Sequence, residues 1–460
     1  MTARLDFLGA VGTVTGSRFL VSVDDTKVIV DCGLFQGLRE LRRRNWEPFP
    51  VAAEGIGAAL LTHAHLDHSG YLPALVRQGF RGSTYLTQGT AQLAHIVLLD
   101  SAHLLEEDAD NARRHGYSKH DPPLPLYTEA DVLRAVRSMC SVPLCEPFEV
   151  TPGWRATLRP AGHILGSSSV RLELAAGQTV LFSGDLGRPV HPLLNSPPDP
   201  PASDVVVVES TYGDRRHEAA DDGPLGRAIT RTVRRGGSVV IPAFAVDRTE
   251  VILMALRRLR LGGAIPDVPV YVDSPMALAA LQIYREAIRR RDPEVRGDLP
   301  VGEELFDPGN LHEAHSVEES KALNAPTVPS VILSASGMAT GGRVLHHLEW
   351  LLPNPRNTVV LAGYQTEGTR GRALLEGARS LKIHGRYVPV RAEIVNVPSY
   401  SVHADADEIV AWLGRMPQPP QVCYVVHGEP GASATLRDRI ERELQWTAVV
   451  PRPGERVLLD

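Results

Sequence analysis

The chain has 460 residues, 43% of them hydrophobic, with a formal charge of -6 and a pI near 6.3. Such a length exceeds what one ordinary core organises, so two globular domains are expected; the mildly acidic balance excludes a global pull toward nucleic acid or anionic membrane and leaves any phosphate-binding surface local. No stretch approaches the ~20 apolar residues of a membrane span, residues 1–6 lack the apolar core of a signal peptide, and Cys32, Cys140, Cys145 and Cys423 show no C-x-x-C spacing, so a reduced, cytoplasmic protein is expected.

In chain order, short strands are predicted at 4–8, 19–23, 28–31, 58–61 and 84–87, then a long helix from 91 to about 114 with Leu93, Ile96, Val97, Leu104 and Leu105 on one face. Strands return at 156–159, 169–174, 179–183 and 205–209, separated by proline-rich turns. Beyond Tyr212 the pattern changes: helices at 225–235, 248–259, 276–291 and 343–352 alternate with strands at 238–241, 270–273, 328–333 and 358–361. That alternation indicates a parallel sheet flanked by helices. From 391 the β-rich pattern of the first 211 residues resumes, with a strand at 422–426. The expected class is α/β, with a β-rich domain in two parts, 1–211 and 391–460, interrupted by an inserted parallel α/β domain at 212–390.

The chemistry concentrates in Thr62-His63-Ala64-His65-Leu66-Asp67-His68, directly after the apolar run 58–61. If the run is a buried strand, His63 and His65 leave it on the same side and can grip one ion. Asp67 and His68 open the next turn and face a neighbouring ion. Imidazole and carboxylate without thiolate suit catalytic zinc, with manganese as the alternative. Further ligands are expected at strand ends, where Gly162-His163-Ile164, Gly184-Asp185-Leu186 and Val426-His427-Gly428 qualify. Together they complete a site: His63, His65 and His163 on one ion, Asp67, His68 and His427 on the other, and Asp185 bridging.

Asp31, then His63 to His68, then His163 and Asp185, resemble the four successive motifs of the metallo-β-lactamase fold. Glu209 in Val208-Glu209-Ser210-Thr211-Tyr212-Gly213, His403 in Ser401-Val402-His403-Ala404-Asp405 and His427 in His427-Gly428-Glu429 resemble the three further motifs of its β-CASP branch. That branch holds RNase J, bacterial and archaeal RNA-processing nucleases, and the cleavage subunit of the eukaryotic polyadenylation machinery. The resemblance spans essentially the whole chain. Val402 departs from it, standing where alanine is commoner, and no additional C-terminal domain like that of RNase J is expected.

The resemblance implies an αββα metallo-β-lactamase sandwich with an inserted β-CASP domain, and a zinc-dependent nuclease that hydrolyses RNA by endonucleolytic or 5′ exonucleolytic cleavage. Two ions about 4 Å apart would lower the pKa of a water and hold a phosphate in line. Asp67 and Asp185 would act in the catalytic centre, His403 as general acid, and Glu209 would orient and charge His403, or else merely cap its own turn. Asp31 would hydrogen-bond a ligand imidazole. Gly341-Gly342-Arg343, ahead of a helix, and Ser401 could each hold a substrate phosphate; the glycines could equally be only conformational. Single-stranded RNA threaded between the domains is the implied partner, and a homodimer is among the assemblies allowed.

Arg42-Arg43-Arg44, Arg257-Arg258 and Arg289-Arg290-Arg291 read as solvated faces. Only four of 48 lysines and arginines are lysine, which fits a coding bias better than a phosphate site. No G-x-x-x-x-G-K-[ST] or G-x-G-x-x-G turn occurs, so ATP and dinucleotide chemistry are excluded. A single-stranded DNA nuclease of the repair branch is the alternative, although its members usually carry valine where this chain has His427. A small-molecule hydrolase of the same fold would lack the insertion and the Glu209–His403 pair. A non-catalytic scaffold would not need complete ligands.

Overall fold

The computed structural model describes residues 3–116, 121–218, 221–300, 302 and 304–459, and the chain divides into two compact units, 1–216 with 402–460, and 217–401. In the first unit two seven-stranded sheets form. One runs Arg456–Leu459, Ala3–Phe7, Phe19–Val23, Thr26–Val30, Ala58–Leu60, Ser83–Leu86 and Met139–Ser141. The other runs Ala448–Val449, Val422–Val425, Val205–Val208, Thr179–Phe182, Ser168–Glu173, Trp154–Pro160 and Pro147–Thr151.

Side-chain alternation along these strands builds the layers. Val205 and Val207 enter a core shared by both sheets, with Leu5, Phe7, Val21, Val30, Leu60, Trp154 and Phe182. Val206 and Val208 point the other way, against Ile409 and Leu413 of the helix Ala406–Leu413 and Leu436 of Pro430–Arg439. A run of four valines is therefore buried on both faces, as a strand in the parallel part of a sheet should be. Val205–Val208 pairs in parallel with Val422–Val425, so the chain returns to the sheet position it left more than two hundred residues before.

The long helix expected at 91–114 spans Gln88–His115. It starts sooner because Thr87 accepts from Thr90 N, and it stops at Gly116, whose φ of 67° ends the helix in the left-handed region. No helix among the described residues is long and apolar enough to cross a membrane.

The second unit holds a six-stranded, fully parallel sheet in the order Leu311–Glu313, Val270–Val272, Val331–Ser334, Val239–Pro242, Thr358–Leu361 and Glu393–Asn396. Val240, Ile332, Val359 and Leu361 pack with Leu345 and Leu348 of the helix Arg343–Leu351 and with Leu381, Ile383 and Val388 of a hairpin. Where 391 was expected to begin the return to the first unit, Glu393–Asn396 instead adds the edge strand of this sheet, and the unit runs on to Ser401.

Glu250, in the first turn of the helix Arg248–Leu261, is fully buried. Burial, with Asp247 adding to it, pushes its carboxyl well above the usual value near 4.5. An acid whose pKa is raised by folding contributes stability below its unfolded pKa and loses it as pH rises toward the folded value. Glu250→Gln is therefore expected to melt higher than the wild type by a few degrees at pH 8, with the gain shrinking toward pH 4.5. Thermal denaturation across that range checks this, and a pH-independent difference would contradict it.

Candidate metal centre

Within the first unit, the donors of the candidate centre sit just past the carboxyl end of a strand, in the loop that follows it or in the short helix that opens there. Ala58–Leu60 delivers His63 and His65; the short helix Leu66–Ser69 then carries Asp67 and His68. Trp154–Pro160 leads to His163, Thr179–Phe182 to Asp185, Val205–Val208 to Glu209 and Val422–Val425 to His427. Close backbone contacts hold these loops. Ser17 N donates to Asp67 O at 2.8 Å and Cys32 N to His68 O at 2.7 Å. A β-carbon on Gly33 would run into the Asp67 carbonyl, and one on Gly187 into the Gly162 carbonyl, so both approaches require glycine.

The donors converge in two groups. His63 Nε2 lies 3.1 Å and His163 Nε2 3.3 Å from His65 Nδ1, and Asp185 Oδ2 is 3.5 Å from His63 Nε2 and 3.7 Å from His163 Nε2. Donors at the 2.0–2.1 Å typical of zinc are about 3.3–3.4 Å apart at the corners of a tetrahedron, so this spacing fits a borderline cation. In the second group, His68 Nε2 is 3.2 Å from His427 Nε2, Asp67 Oδ2 is 3.6 Å from His427 Nε2, and Asp185 Oδ1 is 3.2 Å from His68 Nε2. The two oxygens of Asp185 thus face different groups.

Hydrogen bonds on the outer side aim the rings. Asp31 Oδ2 is 2.7 Å from His68 Nδ1 and Asp31 accepts from Thr62 N at 2.8 Å and from Thr62 Oγ1. Since Thr62 Oγ1 gives its proton to Asp31, it is left to accept from His63 Nδ1 at 3.0 Å. His427 Nδ1 is 3.1 Å from Thr211 Oγ1. With Nδ1 occupied, His63, His68 and His427 each turn Nε2 inward toward the other donors, the orientation a ligating imidazole takes. Nothing in the sequence marks Thr62 and Thr211 for this role; each is a hydroxyl residue near a ligand in the chain or the sheet, a signal too common to single them out.

Burial and neighbouring charges together shift the titration of these groups. Desolvation, reinforced by neighbouring imidazoles, holds His63 and His163 well below the usual histidine value and His65 down to about 4. Burial also opposes charge on His68, but Asp185 and Asp31 override it and raise that ring well above its usual value. Burial would raise Asp185, yet His427, His68 and His63 keep it well below the carboxylate range. Asp67 follows the same pattern, lowered chiefly by its hydrogen bond to His427. Ionised carboxylates among mostly neutral imidazoles are the forms that ligate metal.

His403 Nδ1 lies 3.4 Å from the Glu209 carboxylate and 3.8 Å from Asp185 Oδ2, with its ring centroid 4.3 Å from that of His163. Its side chain is 15% exposed, against 2% or less for His63, His68, His163 and Asp185. Glu209 Oε1 accepts from Leu186 N at 2.6 Å and Oε2 from Thr211 N at 3.3 Å, so it ties down its surrounding turns as well as meeting His403.

The remaining phosphate candidates belong to the second unit. Gly342, at φ 73°, precedes the helix Arg343–Leu351. The Arg343 guanidinium is bound to fully buried Asp273 at 2.6 Å and to Ala314 O at 3.2 Å, because a carboxylate out of water needs a counter-charge. Ser401 is buried and its Oγ makes no hydrogen bond among the described residues.

Asp31→Ala removes the acceptor that aims His68 without touching a donor. Metal affinity is expected to fall about 10–100-fold with the fold retained, measured by competition with a chromophoric chelator; unchanged affinity would contradict the role of Asp31.

Residues 11–85 match the metallo-beta-lactamase superfamily, 249–374 the Beta-Casp domain, and 387–451 the Zn-dependent metallo-hydrolase RNA specificity domain. A ribonuclease of Thermus thermophilus is 37% identical over 433 residues, covering 93% of each chain. An RNase J-like protein of Methanocaldococcus jannaschii is 30% identical, covering 98% of each chain. The transcription termination factor FttA of Methanothermobacter thermautotrophicus is 30% identical, covering 99% of this chain and 71% of that one. A solved protein of unknown function from Enterococcus faecalis, 14% identical with full coverage of both chains and a TM-score of 0.52, shares the fold. With its three family segments in order, and the T. thermophilus and M. jannaschii relatives matched along nearly their whole length, the chain belongs to the β-CASP branch of the metallo-β-lactamase superfamily.

Proposed function

We propose that this protein is a metal-dependent ribonuclease that hydrolyses phosphodiester bonds in single-stranded RNA in the cytoplasm, using two zinc ions per chain. The observation that carries this reading is the convergence of seven imidazole and carboxylate side chains into two groups joined by Asp185, with the His403–Glu209 pair beside them. The T. thermophilus relative carries the name ribonuclease, and the C-terminal segment matches an RNA specificity domain, which favours RNA over DNA or a small ester.

His63, His65 and His163 would hold one ion, Asp67, His68 and His427 the other, and Asp185 both. Ions bound there would supply charge neutralisation at the scissile phosphate and Lewis acidity toward a water. The chain does the rest. Asp31 and Thr62 fix His68 and His63, and Thr211 fixes His427, so that the donors need little reorganisation when substrate arrives. His403, partly exposed where its neighbours are sealed, gives a proton to the leaving oxygen. Glu209 faces Nδ1, which assigns that transfer to Nε2, and its negative charge stabilises the protonated ring before transfer. Ser401 would donate to a phosphate oxygen, and the amides at Gly341 and Gly342 would hold another phosphate, beside the Arg343 guanidinium that Asp273 and Ala314 O hold.

His403→Ala should keep its full metal content while RNA cleavage falls about 10²–10⁴-fold. Unchanged turnover would remove His403 from the acid role. A time course on 5′-labelled and internally labelled RNA, with single-stranded DNA alongside, tests the substrate class: RNA cleavage that a chelator abolishes is expected, and cleavage of DNA alone would overturn the reading.

A further inference from the structure

We propose that His346, Glu349 and His384 form a separate divalent-metal site on the surface of the second unit, taking Zn2+ or another borderline transition-metal ion. The site lies where the helix Arg343–Leu351 meets the hairpin made by Ser380–Ile383 and Arg386–Pro389. His346 and Glu349 are three residues apart and share one helix face. His384 comes from the hairpin turn. Its Nδ1 lies 3.0 Å from Glu349 Oε2, its ring centroid lies 4.4 Å from that of His346, and one donor atom from each of the three side chains falls within 4.8 Å of the others.

Two further features favour a cation here. The turn has two central residues, His384 and Gly385, with φ of 44° and 80°. A two-residue turn with both residues left-handed ordinarily takes Asn-Gly or Asp-Gly. A histidine at the first position is a side-chain choice the turn does not demand, and it sets the imidazole beside Glu349. The helix also ends at Leu351, so Glu349 lies in the last turn, where the partial negative charge of the unsatisfied carbonyls favours a positive ion.

Two imidazoles and a carboxylate are the donors of zinc and its neighbours; calcium and magnesium prefer all-oxygen shells. The His384 and Glu349 side chains are 38% and 25% exposed, so water completes the coordination. A bound ion would fasten the hairpin to the helix, whose inner faces already pack through Leu345, Leu348, Leu381 and Ile383.

His384→Asn tests this, because asparagine is the residue the turn itself favours and the hairpin should form unaided. Zinc is counted by equilibrium dialysis of the full-length protein at micromolar free Zn2+, with Glu349→Gln as a second variant. The wild type is expected to hold one equivalent more than His384→Asn whatever the loading of the other centre, and Glu349→Gln to bind that equivalent at least tenfold more weakly. RNA cleavage should be the same in all three. Equal zinc content in the wild type and His384→Asn would overturn the proposal, and leave the reading of the other centre untouched.

Discussion

A single buried carboxylate organises the first unit's site. Asp185 is 2% exposed and surrounded by His63, His163, His68, His427 and His403, each within 3.8 Å of one of its oxygens. A charge that deep is tolerated only if it is compensated on every side. The segment around it carries the rest of the assembly: Leu186 N donates to Glu209, Leu186 O accepts from Ala404 N at 2.7 Å, and Gly187 bridges to His403 while its own amide donates to Ala161 O beside His163. Five separate stretches of chain are therefore fixed relative to one another by three consecutive residues.

Sheet register does the long-range work. His427 reaches His68 across 359 positions of sequence because Val422–Val425 pairs beside Val205–Val208, which also delivers Glu209. The inserted unit interrupts the chain between two strands that end as neighbours, so its length places no strain on the donors. The candidate donors lie at strand ends with the sandwich core beneath them, as in the general division between rigid scaffold and functional edge.

Much of this is readable from residues in order. The cassette from His63 to His68 is contiguous, Asp185 and His427 each stand at the end of an apolar run, and His163 follows a strand of alternating burial, so their convergence follows once those segments are strands. Asp31 is readable for the same reason. Hydroxyl partners are not, since Thr62 and Thr211 gain meaning only from distances to rings in three dimensions. Arg343 looks available for phosphate in the sequence because its partner, Asp273, lies 70 residues away on another strand. The return to the first unit is expected too soon because Glu393–Asn396 is a short edge strand without a clean alternation of buried and exposed positions. Edge strands bury little and so leave little periodic signal.

The central claim is that Asp185 joins two ions held by two distinct donor groups. Anomalous diffraction at the zinc edge from crystals grown with zinc tests it directly. Two peaks about 3.5–4 Å apart, one on each side of the Asp185 carboxylate, with His63, His65 and His163 on the first and Asp67, His68 and His427 on the second, are predicted. A single peak, or two peaks that Asp185 does not touch, would contradict that claim.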